Sequence, residues 1–321
     1  MKAAQISITG GPDVLRMVDL PDPIPGAGDI LIRQAAIGLN FIDTYRRTGL
    51  YPVPLPAVLG SEGAGIVEAV GADVTRFKLG DRAAYAGGLG AYAEKVAMPA
   101  DRAVALPATV DARVAAASML KGMTAEFLTR IWPVSAGDVV VVHAAAGGVG
   151  GILTQWLKHL GVTVIATVGT EAKAQIARTN GCDQVIMADD PDIAGEVRGF
   201  TGGKGVKVVY DSVGKDTFEA SLASLGKRGL LVSFGNASGP VPPVAPLRLS
   251  QAGSLFITRP TLFDYIATTE ELDRSATALF GVVGSGAVRI EIGQEWPLAD
   301  VAEAHKALEA RRTTGATLLI P

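Results

Sequence analysis

The chain has 321 residues, 48% of them hydrophobic and 19% charged, with 39 glycines. That is the composition of an α/β protein of one or two domains with a large core, and it excludes a disordered chain. A formal net charge of -3 without a basic block disfavours nucleic acid or an anionic membrane as the main partner, and no apolar run is long enough to span a membrane.

Residues 1–120 carry short apolar runs punctuated by Gly and Pro, as in Pro21–Gly28 and Tyr51–Pro56. This predicts an irregular, mainly antiparallel β domain. Met1–Gly11 lacks the basic flank and apolar core of a secretory signal. From Val139 the pattern changes to alternating strand and helix. Strands are predicted near 139–143, 162–168, 184–187, 206–210, 229–234 and 254–258, with helices near 149–160, 171–179, 192–200 and 216–225. Six such strands make a doubly wound parallel sheet with ligand at the carboxyl ends. The segment Gly253–Thr258 fits either an edge strand, which needs covering, or an interior one. A last helix, 301–309, with Gly315 as its stop, precedes a strand at 316–320.

Asp138–Lys158 carries the most information. A β-branched run, Val139–Val142, is followed by the small residues Ala144–Gly148 and then by helical spacing. A strand, a tight turn and a helix start direct unpaired N–H groups and the positive end of the helix dipole at one spot, which suits a diphosphate. The glycine fingerprint reads Ala145-x-Gly147-x-x-Gly150, where Gly147 admits the diphosphate and Gly150 allows helix and strand to pack. Alone, this pattern also fits a sharp strand-to-helix turn. The second strand ends about twenty residues past Gly150, the spacing of a dinucleotide site. An NAD site has an acidic residue at that end. Here Val168-Gly169-Thr170 has no carboxylate before Glu171, and Lys173 follows. The missing acid, with a hydroxyl and a cation close by, favours NADPH over NADH. Asp189 and Asp190, after the third strand, act against that preference.

Cys182 is the only cysteine. It excludes an intramolecular disulfide and a multi-cysteine metal site, fits a reducing cytoplasm, and reads as structural. His143, His159 and His305 lie on different elements. His143 fits either a cofactor contact or a satisfied strand-end histidine, with the second favoured.

With these elements placed, the whole chain resembles the zeta-crystallin-like NADPH:quinone oxidoreductases of the medium-chain dehydrogenase/reductase superfamily. The resemblance rests on Gly38–Pro52, Leu59–Val67, Lys121–Ala125, the glycine turn, Val168–Thr170, Val209–Gly214, Val232–Asn236, Thr258–Pro260 and Leu318–Pro321. It implies a Rossmann domain at 125–264 inserted in a GroES-like β domain at 1–124 that is completed by about 265–321. It further implies that Asn40, Asp43 and Tyr45 line the nicotinamide side of a cleft, with Tyr51 a further lining residue. On the cofactor side, Thr124 and Asn40 lie near the nicotinamide ribose, and Gly147, Gly148 and Val149 form the diphosphate turn. Gly169, Thr170 and Lys173 surround the adenosine 2′-phosphate, while Ser212, Phe234, Asn236 and Arg311 wall the ribose and nicotinamide. For Arg311 the residues alone also allow a helix C-terminal cation facing the dipole. Phe41, Tyr45, Tyr51, Met119 and Phe234 offer an apolar slot, although each also fits a core position. A homodimer is the family expectation.

Related alcohol dehydrogenases bind zinc through a His-Glu pair where this chain has Ser61-Glu62, and the completing cysteine is missing. No metal site is therefore expected. Without a Lewis acid for an alkoxide, the resemblance implies a conjugated acceptor, over which incoming charge is delocalised. The expected reaction is reduction of a quinone. Reduction of enones or alkenals is the near alternative, and a nucleic-acid-binding or structural role is the alternative of another class.

Overall fold

The computed structural model describes residues 1–321. Its backbone falls into two compact units, one of 1–123, 266–285 and 290–321, the other of 124–265 and 286–289.

The first unit runs β1 (Lys2–Ile6), β2 (Arg16–Asp19), β3 (Asp29–Leu39), α1 (Phe41–Thr48), β4 (Ala57–Val58), β5 (Glu62–Val70), β6 (Arg82–Ala86), β7 (Lys95–Pro99), β8 (Ala103–Ala105) and the start of α2 (Ala112–Ile131). β2, β1 and β4 form a small antiparallel sheet. The long strand β3 pairs antiparallel with β5 and β7, and β6 and β8 continue from β5. Ile30, Ile32, Ile37 and Leu39 of β3 pack with Leu59, Val67, Tyr85 and Tyr92 in one apolar core.

The second unit continues through β9 (Val139–Val142), α3 (Gly148–His159), β10 (Thr163–Val168), α4 (Glu171–Thr179), β11 (Gln184–Met187), α5 (Ile193–Phe200) and β12 (Val206–Asp211). It closes with α6 (Phe218–Ser224), β13 (Leu225–Ser233), α7 (Pro246–Gln251), β14 (Phe256–Thr258) and α8 (Leu262–Tyr265). All six strands are parallel, in the order β11-β10-β9-β12-β13-β14. Val140, Val141 and Val142 are fully buried, each such valine contributing about 1.5–3 kcal/mol through removal from water. The chain leaves β9 toward β11 and returns to β12 on the other side of β9. This reversal opens the crevice at the carboxyl ends where ligands bind in such sheets. β14 takes the sheet edge, with Phe256 47% exposed.

The chain then returns to the first unit with α9 (Thr269–Gly284), β15 (Ile292–Pro297), α10 (Val301–Glu309) and β16 (Ala316–Ile320), the last pairing antiparallel with β3 and parallel with β15. The doubly wound parallel sheet is thus inserted in sequence between two parts of a mainly antiparallel β unit.

Five helices were not legible from periodicity, among them the six-residue α7 and the four-residue α8. α2 is apolar on nearly every side, so no stripe marks it, and residues 121–128 are all buried. α1 is only eight residues long. α9 was betrayed only by its capping box, Thr268 with Glu271. β13 starts at Leu225, where the sequence pattern placed a helix end. α10 is stopped by Arg311 in the left-handed region (φ 57°), whose N–H bonds to Leu308 O, and not by Gly315.

Candidate functional site

The turn between β9 and α3 has the shape that its residues predict. Gly147 is the N-cap of α3 in extended backbone (φ -83°, ψ 176°), and its own N–H goes to Ala144 O at 2.9 Å. The N–H groups of Gly148, Val149 and Gly150 are then those that helix geometry leaves without an intrahelical acceptor, at the positive end of the dipole. Gly150 is required by packing, because a Cβ there would lie 2.3 Å from Ala144 O. Beside this turn, Thr170 caps α4 by accepting from Lys173 N at 3.3 Å. Gly169 has open space where a Cβ would stand. No carboxylate ends β10, and Asp190 is occupied in a local turn, accepting from Asp192 N at 2.7 Å. The residues present therefore fit a diphosphate and a second phosphate on one dinucleotide.

The loops after β12 and β13 are joined. Phe234 N donates to Asp211 O (2.8 Å) and Ser238 N to Val213 O (2.8 Å). Gly235 allows this approach, since a Cβ would meet Ser212 O at 2.2 Å. The fold thereby brings together Ser212, Phe234 and Asn236. It adds Arg259, which donates to Ser233 O (2.9 Å) and faces the Asn236 amide oxygen at 3.2 Å. Beneath them Asp211 accepts from Val213 N, Gly214 N, Thr217 Oγ1 and Ser221 Oγ at 2.8–3.0 Å. Ser221 also faces His143 Nε2 (3.0 Å), and His143 Nδ1 faces Thr167 Oγ1 (2.8 Å). His143 is 1% exposed and fully engaged, so it is the satisfied strand-end histidine. Thr124 is buried on α2.

In the first unit a second polar cluster surrounds the start of α1. Asn40 is its N-cap residue and is held at two points. Its N–H donates to Asp43 Oδ2 (2.9 Å), and its Nδ2 donates to Glu62 Oε1 (2.8 Å). Glu62 is fully buried and also accepts from Leu120 N (2.6 Å) and from the Lys121 ammonium. A buried carboxylate with three donors is a paired group, and removing one partner would be costly. Asp43 accepts from Ser61 Oγ (2.8 Å) and Tyr92 Oη (2.9 Å), while burial pushes its carboxyl up and Ser61 and Arg46 pull it down. Tyr45 and Tyr51 meet edge to face at 5.4 Å and are partly exposed, with Phe41 6.3 Å from Tyr45. Met119 is fully buried, so of the proposed slot residues it alone is closed off. Arg311 sits exposed just past α10.

Sequence reasoning gave no role to Arg259, Lys121, Tyr92 or His305, and read Asp211 only as part of a polar strand-end turn and Glu62 only as the place of a lost zinc pair. Lys121 left one signal, a lone cation inside the apolar run Ala115–Met123, which needs a buried partner. Ser61 donates to Asp43 and accepts from Arg46. No three His, Cys, Asp or Glu side chains cluster as a metal site. Burial pushes the Cys182 thiol up to about 12, so it is no nucleophile at neutral pH.

Comparison with known proteins places this architecture. The model of the alcohol dehydrogenase GroES-like domain matches residues 26–108, and that of the zinc-binding dehydrogenases matches residues 148–279. These two domains together make a medium-chain dehydrogenase/reductase. The chain is 52% identical over 323 residues to a quinone oxidoreductase of Pseudomonas aeruginosa, covering 100% of this chain and 99% of that protein. The Escherichia coli quinone oxidoreductase, solved in complex with NADPH, superposes with a TM-score of 0.98 at 47% identity over 100% of both chains. A 2-haloacrylate reductase of Burkholderia is 43% identical over 99% of this chain and 98% of its own. The chain belongs to the quinone oxidoreductase family of the medium-chain dehydrogenases/reductases.

Proposed function

We propose that the protein is a zinc-independent NADPH:quinone oxidoreductase. The observation that carries this reading is the likeness, at about half of all positions and over the whole chain, to quinone oxidoreductases. The NADPH-bound structures of such relatives support the cofactor, as does the acid-free end of β10.

The cofactor supplies the hydride or electrons. The protein's part is orientation and a dry site. In this reading the turn at Gly147, with the N–H groups of Gly148 and Val149, holds the diphosphate, and Gly169, Thr170 and Lys173 hold the 2′-phosphate. Thr124, Asn40, Ser212, Phe234, Asn236 and Arg311 orient the ribose and nicotinamide. Asp43, Tyr45 and Tyr51 line the acceptor side, with the two tyrosine rings as an apolar wall. Ser61, on Asp43 and Arg46, and Glu62, on Lys121 and Asn40, are both occupied within the protein.

The likeness to the 2-haloacrylate reductase favours a second reading, reduction of an activated alkene. Anaerobic NADPH oxidation with a panel of 1,4-quinones, run against 2-chloroacrylate and simple enones, separates the two. Turnover with quinones is expected to lead. Turnover with alkenes alone would transfer the proposal to the second reading, and no turnover by folded, NADPH-binding protein would end both. We also propose a homodimer formed through the exposed β14 edge, and a cytoplasmic location. No helix is long and apolar enough to cross a membrane. Sedimentation tests the dimer, and Phe256→Lys on β14 is expected to dissociate it.

A further inference from the structure

The deepest polar cluster of the first unit joins α1 to α10, and its proton positions follow from bonding rules. Arg47 is 1% exposed, and a guanidinium has only donors to offer. Its Nη1 lies 2.9 Å from His305 Nδ1, so Nδ1 is the bare nitrogen and Nε2 carries the hydrogen. That Nε2 lies 3.0 Å from Tyr92 Oη, so Tyr92 accepts there and its own hydrogen goes to Asp43 Oδ2, 2.9 Å away. From the other side Arg46 donates to Ser61 Oγ, whose hydrogen goes to Asp43 Oδ1. The N–H of Asn40 adds a third donor to Asp43.

From each arginine one hydrogen-bonded path runs through neutral groups to the Asp43 carboxylate, while Arg47 also donates to Glu309 Oε1 (2.5 Å) and Gly10 O (3.0 Å) and Arg46 to Gly88 O (2.9 Å). A protonated Asp43 would face its hydrogen into donors. We propose that Tyr92 and His305 are positioning residues, a directed donor chain that holds Asp43 as a carboxylate and through it fixes Asn40 for the reaction. The proposal rests on the functional reading above.

Burial acts against this state, pushing the Asp43 carboxyl up, and the Ser61, Arg46, Asn40 and Tyr92 contacts oppose it. The ionisable groups around the chain are Arg46 on α1 itself, Tyr92 beside Asp43, Arg47 and Glu309 beyond His305, and Glu62 on the far side of Asn40. A carboxyl raised above its unfolded value loses stability as pH rises through the folded value. Removing a donor moves that loss further up in pH.

The test uses Tyr92→Phe, His305→Leu and His305→Gln in the full chain. Glutamine offers one acceptor and one donor, as this histidine does, and leucine offers neither. Tyr92→Phe and His305→Leu are expected to lower kcat/KM for a quinone at least tenfold. They should also move its acid limb up by one pH unit or more. The deficit in Tm of Tyr92→Phe against wild type should be larger at pH 8 than at pH 5.5. His305→Gln should recover most of the activity and return the acid limb. Equal loss at every pH with an unmoved limb, or glutamine no better than leucine, would overturn the proposal. If the wild type reduces no acceptor, the functional reading fails, while the Tm comparison still decides the chain.

Discussion

The two buried histidines solve the same problem in different units and with different electrostatics. His143 stands between Thr167 and Ser221, and its chain ends on Asp211. His305 stands between Arg47 and Tyr92, and its chain ends on Asp43. In both, the ring carries hydrogen on Nε2 and passes donors toward one aspartate. The first chain starts from a hydroxyl and anchors the loop that carries Ser212. The second starts from a buried guanidinium and anchors the helix that carries Asn40, Tyr45 and Arg46. Burial and Arg47 push the His305 ring down to about 3. At His143 burial lowers the ring, but Asp211 pulls the other way. One geometry thus serves as a neutral clamp in the nucleotide unit and as a cation-locked clamp in the β unit.

The comparison can be broken first at Asp211. Asp211→Ala leaves Ser221, Thr217 and two backbone N–H groups without their acceptor. A loss of about 3 kcal/mol or more is expected in urea unfolding, together with weaker NADPH binding. A loss below about 1 kcal/mol would show that this clamp is not an anchor. Next comes pH. The neutral His305 ring of the folded state faces an unfolded ring that takes a proton near 6.5, so stability falls as pH drops below that value. With the folded value at about 3, the loss reaches about 2 kcal/mol at pH 5. His305→Gln should flatten this acid slope more than His143→Gln does, and equal flattening would erase the distinction drawn here.

A smaller effect is expected at Gly150. Gly150→Ala forces the α3 turn apart, and a rise in the NADPH Kd of about tenfold, or about 1.4 kcal/mol, is expected by fluorescence titration. Unchanged affinity would detach the turn from the cofactor. The smallest effect is at the neutral end of the first chain. Thr167→Val removes one hydrogen bond, at a cost of about 1 kcal/mol and with no change in pH dependence between 6 and 8.

The parallel sheet was legible because it is built from local signals. Val139–Val142, the small turn and the 3.6-residue spacing after Val149 lie within one stretch of chain, and buried parallel strands read as continuous apolar runs. The β unit was legible only as a class. Its helices α1 and α2 were hidden, one by shortness and the other by burial on nearly every side. Asn40 and Asp43 could be singled out by resemblance, but their partners could not. Tyr92 and His305 are separated from Asp43 by 49 and 262 positions along the chain, and no periodicity links positions so far apart.

By itself the sequence determined the β9–α3 phosphate turn, the acid-free end of β10 and the lack of a His-Cys ligand set, because each is a matter of residue type and short spacing. Only the tertiary structure decided which buried carboxylates are paired and in which direction their hydrogens run. Those facts depend on donors contributed by distant strands and helices, and a hydrogen bond at 2.9 Å exists only when folding brings both partners to one place.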